Sequence, residues 1–344
     1  MPNSRFLLPD LLKGLAVLFM VQVHITELFA TERFYLSIPG KISLFLGGVP
    51  AAPLFMVLMG FFIGFRTLKT GPIMFRGLKL IAGGFLLNFG INFHLFYRIF
   101  TGKIDLNPLP YFFGVDILFL AGLSLMVLAI IKWLFREQYI YSLILAVVIP
   151  ALSLFLPVYH GDSMTLNYFL PYLYSDAWWS YFPLIPWLAY PLLGFGVGII
   201  IKKYPDIIKR RVTDPNIFLL IVLLVLLFLH YGFRISSNLA AYYHHGLSFF
   251  AWAAVFLLFL VLSAHYYLKA IKKQYPVIHF IAWIGKNVTV FYVFQWLIIG
   301  NVATAIYQTQ PTTSLPLWFL GITLITALLV KGWEERKKIV RLFE

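Results

Sequence analysis

Apolar runs separated by short polar breaks occupy almost the whole chain. A helix needs about 20 apolar residues to cross the ~30 Å hydrocarbon core of a bilayer. Ten runs approach that length: 11–30, 42–65, 77–97, 111–131, 139–158, 182–201, 217–233, 247–268, 283–305 and 315–331. No low-complexity tract, internal repeat or soluble domain interrupts them. The pattern predicts an all-α integral membrane protein with about ten transmembrane helices in one bundle, and one polytopic domain over residues 1–344.

The first run breaks the rule that a lipid-facing helix is apolar all round. It carries Asp10, Lys13, His24 and Glu27. At about 100° per residue, the step from Lys13 to His24 is three turns plus ~20°, and Asp10 and Glu27 fall within the same ~100° stripe, whereas Gln22 points elsewhere. Ionisable groups inside a membrane helix are costly and face a bundle interior or a wet cavity. Four on one stripe suggest a reaction centre or a transport path.

Composition supports the membrane reading. The chain is 61% hydrophobic and 12% charged, with a mean hydropathy of +0.87, whereas soluble domains hold about 25% charged residues. A net charge of +14 would suggest nucleic acid in a soluble protein. Here the basic residues sit in short loops and read as topology determinants, so nucleic acid is not an expected partner. With ten spans, 21 of the 27 Lys and Arg lie on the side of the termini, which by the positive-inside rule is cytoplasmic. The expected location is a bacterial inner membrane, with both termini in the cytoplasm. The absence of cysteine excludes disulfides, thiolate metal sites and a thiol nucleophile. The N-terminal run contains Lys13 and His24 and precedes no small-x-small site, unlike a signal peptide.

Orientation then sorts the polar residues. His24 lies about 20 Å along its helix, past the midplane and nearer the outside. Asp116 is expected at a comparable depth in the fourth span. Asp116 or Glu27, one turn beyond His24, could orient the imidazole, fixing its tautomer and leaving the other nitrogen as base; Asp116 could equally serve only to satisfy a neighbouring helix. His94, His160, His230, His244 and His245 lie near the outer interface, where the simplest reading is a snorkelling or hydrogen-bonded residue. On the inner side, Arg66 and Lys69 are explained by anchoring. Arg76, Lys79 and Lys286 with Asn287 enter helices and are candidates to hold phosphates. No His-Glu-x-x-His motif suggests a metal, and Gly194, Gly196 and Gly198 read as small packing residues. The aromatic outer loop, about 159–181, reads as an interfacial belt or as a sugar-stacking surface.

The first helix resembles the opening helix of the transmembrane acyltransferases, which include the acyltransferase-3 enzymes and the heparan-glucosaminide N-acetyltransferase-type proteins. Their pattern is an Asp, a basic residue three later followed by Gly, then ten residues and a His. Asp10, Lys13, Gly14 and His24 stand at those spacings, with Lys13 where the family normally has Arg. Other similar segments are 51–60, 114–122, 182–187 with Gly194, and 284–295. Some heparan-branch members have Asn at the His24 position and a catalytic His eleven residues later; here that later residue is Tyr35.

The resemblance implies acyl transfer across the membrane. Cytoplasmic acyl-CoA, by default acetyl-CoA, is the expected donor, and a hydroxyl or amine of an extracytoplasmic glycan or amino sugar the acceptor. His24, with Asp116 and Glu27, forms the expected catalytic set, while Lys13, Arg76, Lys79, Lys286 and Asn287 form the donor-binding set. No metal is expected, and a homodimer is the open alternative to a monomer in the bilayer. Two other functions suit the same residues. One is a proton-coupled transporter using the stripe as a relay, against which no internal repeat or paired broken helices are found. The other is a membrane scaffold for glycan assembly.

Overall fold

The computed structural model describes residues 7–343 apart from 158, 160, 213 and 272–274, with side chains described as far as Arg336. His160 therefore lies outside the described residues. The described chain is helical, with only two isolated β-bridges. Its principal helices are α1 (Leu7–Leu28), α2 (Ile38–Gly47), α3 (Ala52–Phe65), α4 (Thr70–Ile91), α5 (Ile117–Phe135), α6 (Tyr139–Leu152) and α7 (Ala189–Lys203). They continue with α8 (Pro215–Leu227), α9 (Leu229–Ser236), α10 (Leu247–Ala270), α11 (Pro276–Lys286), α12 (Val288–Ile306) and α13 (Leu315–Phe343). Among the described residues, eight helical stretches are long and apolar enough to cross a membrane, and nine if the α8–α9 pair, bent by 57°, is one span. The expected 139–158 run is the shorter apolar helix α6, which ends at Leu152 just after Pro150. Every expected run thus has a helical counterpart, and the chain is an integral membrane protein.

Two differences from the expected boundaries have local causes. The fourth run does not begin at 111, because Val115 pairs with the 179–182 loop: its N–H donates to the Trp179 carbonyl at 2.9 Å, and its carbonyl accepts from Phe182 N–H at 3.0 Å. Asp116 then caps α5, its Oδ1 accepting from Leu118 N–H at 2.7 Å, as a short acidic side chain does ahead of an apolar run. The ninth run is likewise interrupted. Asn287 separates α11 from α12, with its backbone turned to φ −105°, ψ 22°.

The helices form two compact units. Unit 1 comprises 1–51, 89–108 and 264–344; unit 2 comprises 52–88 and 109–263. In unit 2, α3 and α7 cross at backbone contact. A Cβ at Gly60 or Gly64 would collide with the Pro191 or Phe195 carbonyl, and one at Gly194 or Gly198 with the Val57 or Phe61 carbonyl. Small residues create such close approaches between membrane helices, where packing rather than hydrophobicity drives association. In unit 1, α1 packs on α2, α11, α12 and α13.

Candidate active site

The Asp-x-x-Lys-Gly segment of α1 is positioned by Gly14. A Cβ there would overlap the Ile281 carbonyl of α11, and a Cβ at Gly285 would overlap the Asp10 carbonyl of α1. The two helices therefore touch backbone to backbone beside the charged pair. Lys13 Nζ donates to Asp10 Oδ1 at 2.6 Å, and the two side chains are only 16% and 12% exposed. At i,i+3 the pair lies along one helix face, so much of the Lys13 charge is already neutralised by its own helix.

Three turns further on, His24 is half-buried. Its ring lies on Trp296 of α12, with centroids 3.8 Å apart and planes tilted by 34°. Both ends of the Gln295 amide lie 3.5 Å from His24 Nδ1, and Gln295 is fully buried. The Nδ1 edge is thus occupied by α12, and Nε2 is the nitrogen left for chemistry. The opposite face of α1 is engaged with α2. Gln22 Nε2 donates to the Ser43 carbonyl at 2.9 Å, Ser43 Oγ donates to Gln22 Oε1 at 2.6 Å, and Thr26 Oγ1 lies 2.7 Å from Ser43 Oγ. Gln22 does point away from the charged stripe, and this polar clasp fixes the rotation of α1 that presents His24 to α12.

Glu27 lies half-buried in the last turn of α1. Lys286 is exposed at the end of α11. Asn287, at the helix break, donates through Nδ2 to Glu334 Oε1 at 2.9 Å, while Trp283 Nε1 donates to Glu334 Oε2 at 2.8 Å. Glu334 of α13 therefore clamps the last turn of α11 and the break residue itself.

The remaining expected site residues belong to unit 2. Arg76 and Lys79 are exposed on α4, and Lys79 Nζ sits 4.5 Å from the centroid of the Phe75 ring. Asp116 is the α5 cap rather than a residue within the span. Its charge, after burial, contributes to raising the Tyr172 phenol above its ordinary range, while Tyr172 Oη donates to the Phe113 carbonyl at 2.9 Å. Unit 2 also explains His245. Its Nδ1–H donates to the Tyr242 carbonyl at 2.7 Å, and its Nε2 lies 3.0 Å from Tyr190 Oη. Trp187, Tyr190 and Phe249 surround the ring. Burial among them holds the imidazole neutral, pushing its pKa down to about 4; it is a satisfied interior histidine. In unit 1, His94 Nδ1–H similarly donates to the Asn301 carbonyl at 3.1 Å.

Gln295 closes the 284–295 segment but has no role assigned from sequence, and Trp296 is not singled out there. Their signal was a lone glutamine beside a tryptophan in the apolar run of α12.

A membrane helix that holds one half-buried histidine against a buried amide of its neighbour, three turns from a largely buried Asp–Lys pair, carries a polar centre. The comparison with family models then assigns the chain: an acyltransferase-domain model matches residues 7–331, and the chain belongs to the transmembrane acyltransferase-3 superfamily. No curated protein matches it.

Proposed function

We propose that the protein transfers an acyl group, by default acetyl, from cytoplasmic acyl-CoA to a hydroxyl or amine of an extracytoplasmic glycan, with His24 as the reacting base or transient acyl carrier. The observation that carries this reading is the setting of His24, half-buried with Nδ1 against Gln295 and Nε2 uncommitted. With Gln295 Oε1 accepting from Nδ1–H, the Nε2 lone pair is the base. A 3.5 Å separation is long for such a bond, as is common before substrate tightens it. In the direct route, the acceptor oxygen or nitrogen attacks the thioester carbon and its proton passes to Nε2. The C–S bond breaks, and the imidazolium returns the proton to the CoA thiolate. Gln295 takes the orienting role first assigned to Asp116 or Glu27.

In this reading the basic residues on the side of the termini meet the donor. Within unit 1, Lys286 at the clamped helix break supplies a charge for the CoA phosphates and Asn287 a neighbouring amide, whereas Lys13 is already paired with Asp10 and the exposed Arg76 and Lys79 belong to unit 2. The test is purified protein with acetyl-CoA and detection of released CoA. His24→Ala should abolish turnover while leaving thermal unfolding unchanged. A wild-type protein that neither binds nor consumes acyl-CoA refutes the function, and full turnover by His24→Ala refutes the site. Incorporation of labelled acetyl into the protein without acceptor identifies the acyl-carrier route.

A further inference from the structure

Once Gln295 occupies the Nδ1 side of His24, Glu27 is a carboxylate without a task. It lies three residues beyond His24 on the same stripe, which puts the two Cβ atoms about 5–6 Å apart. It makes no hydrogen bond or ion pair among the described residues, and the last turn of α1 contains no basic side chain. A negative charge at a helix C-terminus opposes the dipole, and a half-buried carboxylate without a partner is disfavoured again by desolvation. Nothing in the packing rewards it.

The surroundings are built. Segment 308–310 is stitched to the end of α1: Gln308 N–H donates to the Leu28 carbonyl at 2.9 Å, Gln310 N–H to the Phe29 carbonyl at 2.8 Å, and Thr31 N–H to the Gln310 carbonyl at 3.2 Å. The stitch holds Tyr307, 58% exposed, at this rim. Tyr35, half-buried in the short helix Glu32–Tyr35, completes it. Its phenol is pushed up to about 12 by burial and then by the charges of Glu27 and Tyr307, so both of these groups lie within electrostatic reach of Tyr35.

Resting on the acyltransferase reading, we propose that this rim is the acceptor subsite: the Glu27 carboxylate accepts a hydrogen bond from a hydroxyl or amine of a sugar ring, and the exposed ring of Tyr307 carries the sugar's apolar face. A carboxylate, two phenols and an exposed aromatic face match the alternating polar edge and C–H face of a pyranose. The reacting group of the acceptor is thereby held beside His24.

The test uses the full-length chain in detergent, with glucosamine and glucose as probes. Thermal unfolding is followed with and without each sugar for wild type, Glu27→Gln and, as a surface control, Glu32→Gln. Glu27→Gln should raise the melting temperature of the sugar-free protein, abolish the stabilisation by sugar, and raise the acceptor KM about tenfold with the acetyl-CoA KM unchanged. Stabilisation by glucosamine alone identifies the amine as the recognised group; stabilisation by both sugars identifies hydroxyls. The subsite is overturned if Glu27→Gln lowers the sugar-free melting temperature, if the sugar shift survives the substitution, or if neither sugar shifts the wild type. Because the melting readouts need no turnover, sugar binding without acetyl-CoA consumption would refute the acyltransferase reading and leave the subsite standing.

Discussion

Gly14→Ala adds one methyl group where α1 and α11 meet. Two effects oppose each other. Alanine is favoured over glycine in a helix interior by about 1 kcal/mol. Against this, the new Cβ would overlap the Ile281 carbonyl oxygen, a backbone atom with no rotamer to yield. Restoring a contact of 3.5–4.0 Å requires the helices to part by more than about 1 Å, and overpacking of this kind costs typically 1–3 kcal/mol, occasionally more. Because the reciprocal Gly285–Asp10 contact opens as well, the clash wins. A net loss of about 1–2 kcal/mol is expected, a few degrees in melting temperature. Gly83 of α4 and Gly321 of α13 provide the control, since a Cβ at either meets nothing within 4 Å. Gly83→Ala and Gly321→Ala should therefore be stabilised by up to about 1 kcal/mol. Thermal unfolding of the three variants in one detergent decides the matter. A Gly14→Ala protein as stable as Gly321→Ala would refute the backbone-to-backbone crossing.

Replacing Gln295 by Leu keeps volume but removes the amide beside His24 Nδ1, and should lower acetyl-CoA turnover about 10- to 100-fold, with recovery in a pH-dependent fraction by Gln295→Glu; unaltered turnover in Gln295→Leu would discard its orienting role. The buried His245 gives a pH dependence whose sign is fixed. Its folded value, about 4, lies below the ordinary 6.5, so the unfolded chain binds the extra proton. Stability is complete above about pH 6.5 and is lost as pH falls toward 4, by about 3 kcal/mol over that window. His245→Asn should flatten the fall in melting temperature between pH 7 and pH 4.5, and an unchanged slope would show that other groups govern it.

Much of this architecture was legible because membrane spans are read from run length, and run length survives local irregularity. The charged stripe was equally plain, since periodicity within one helix fixes which residues share a face. Partnership between helices was not. Gln295 is one of several scattered polar residues of its helix, with Thr289, Tyr292, Asn301 and Thr304, so nothing in the 288–306 run announces that it is the one that meets His24. Asp116 was placed by depth in an assumed span, although an acidic residue directly before Ile117-Leu-Phe-Leu is an N-cap signature. The break at Asn287 was marked only by the polar pair Lys286-Asn287, read as phosphate-binding because Trp283, Ile284 and Val288 keep the flanks apolar; its clamp comes from Glu334, on another helix.

The contact between His24 and Gln295 spans 271 positions of sequence, and this separation sets an order of events during biosynthesis. At about 5–20 residues per second, the ribosome needs roughly 15–50 s after completing His24 before Gln295 exists. Throughout that interval α1 holds Asp10, Lys13, His24 and Glu27 in or beside the bilayer without α12. The Asp10–Lys13 pair closes within the helix itself and the Gln22–Ser43 clasp forms with the next one. Both are available almost at once, so α1 enters the membrane with part of its polarity already masked. The His24–Gln295 contact closes late, after α12 has arrived, and a nascent chain stalled before Gln295 carries an inserted first helix whose histidine still lacks its amide.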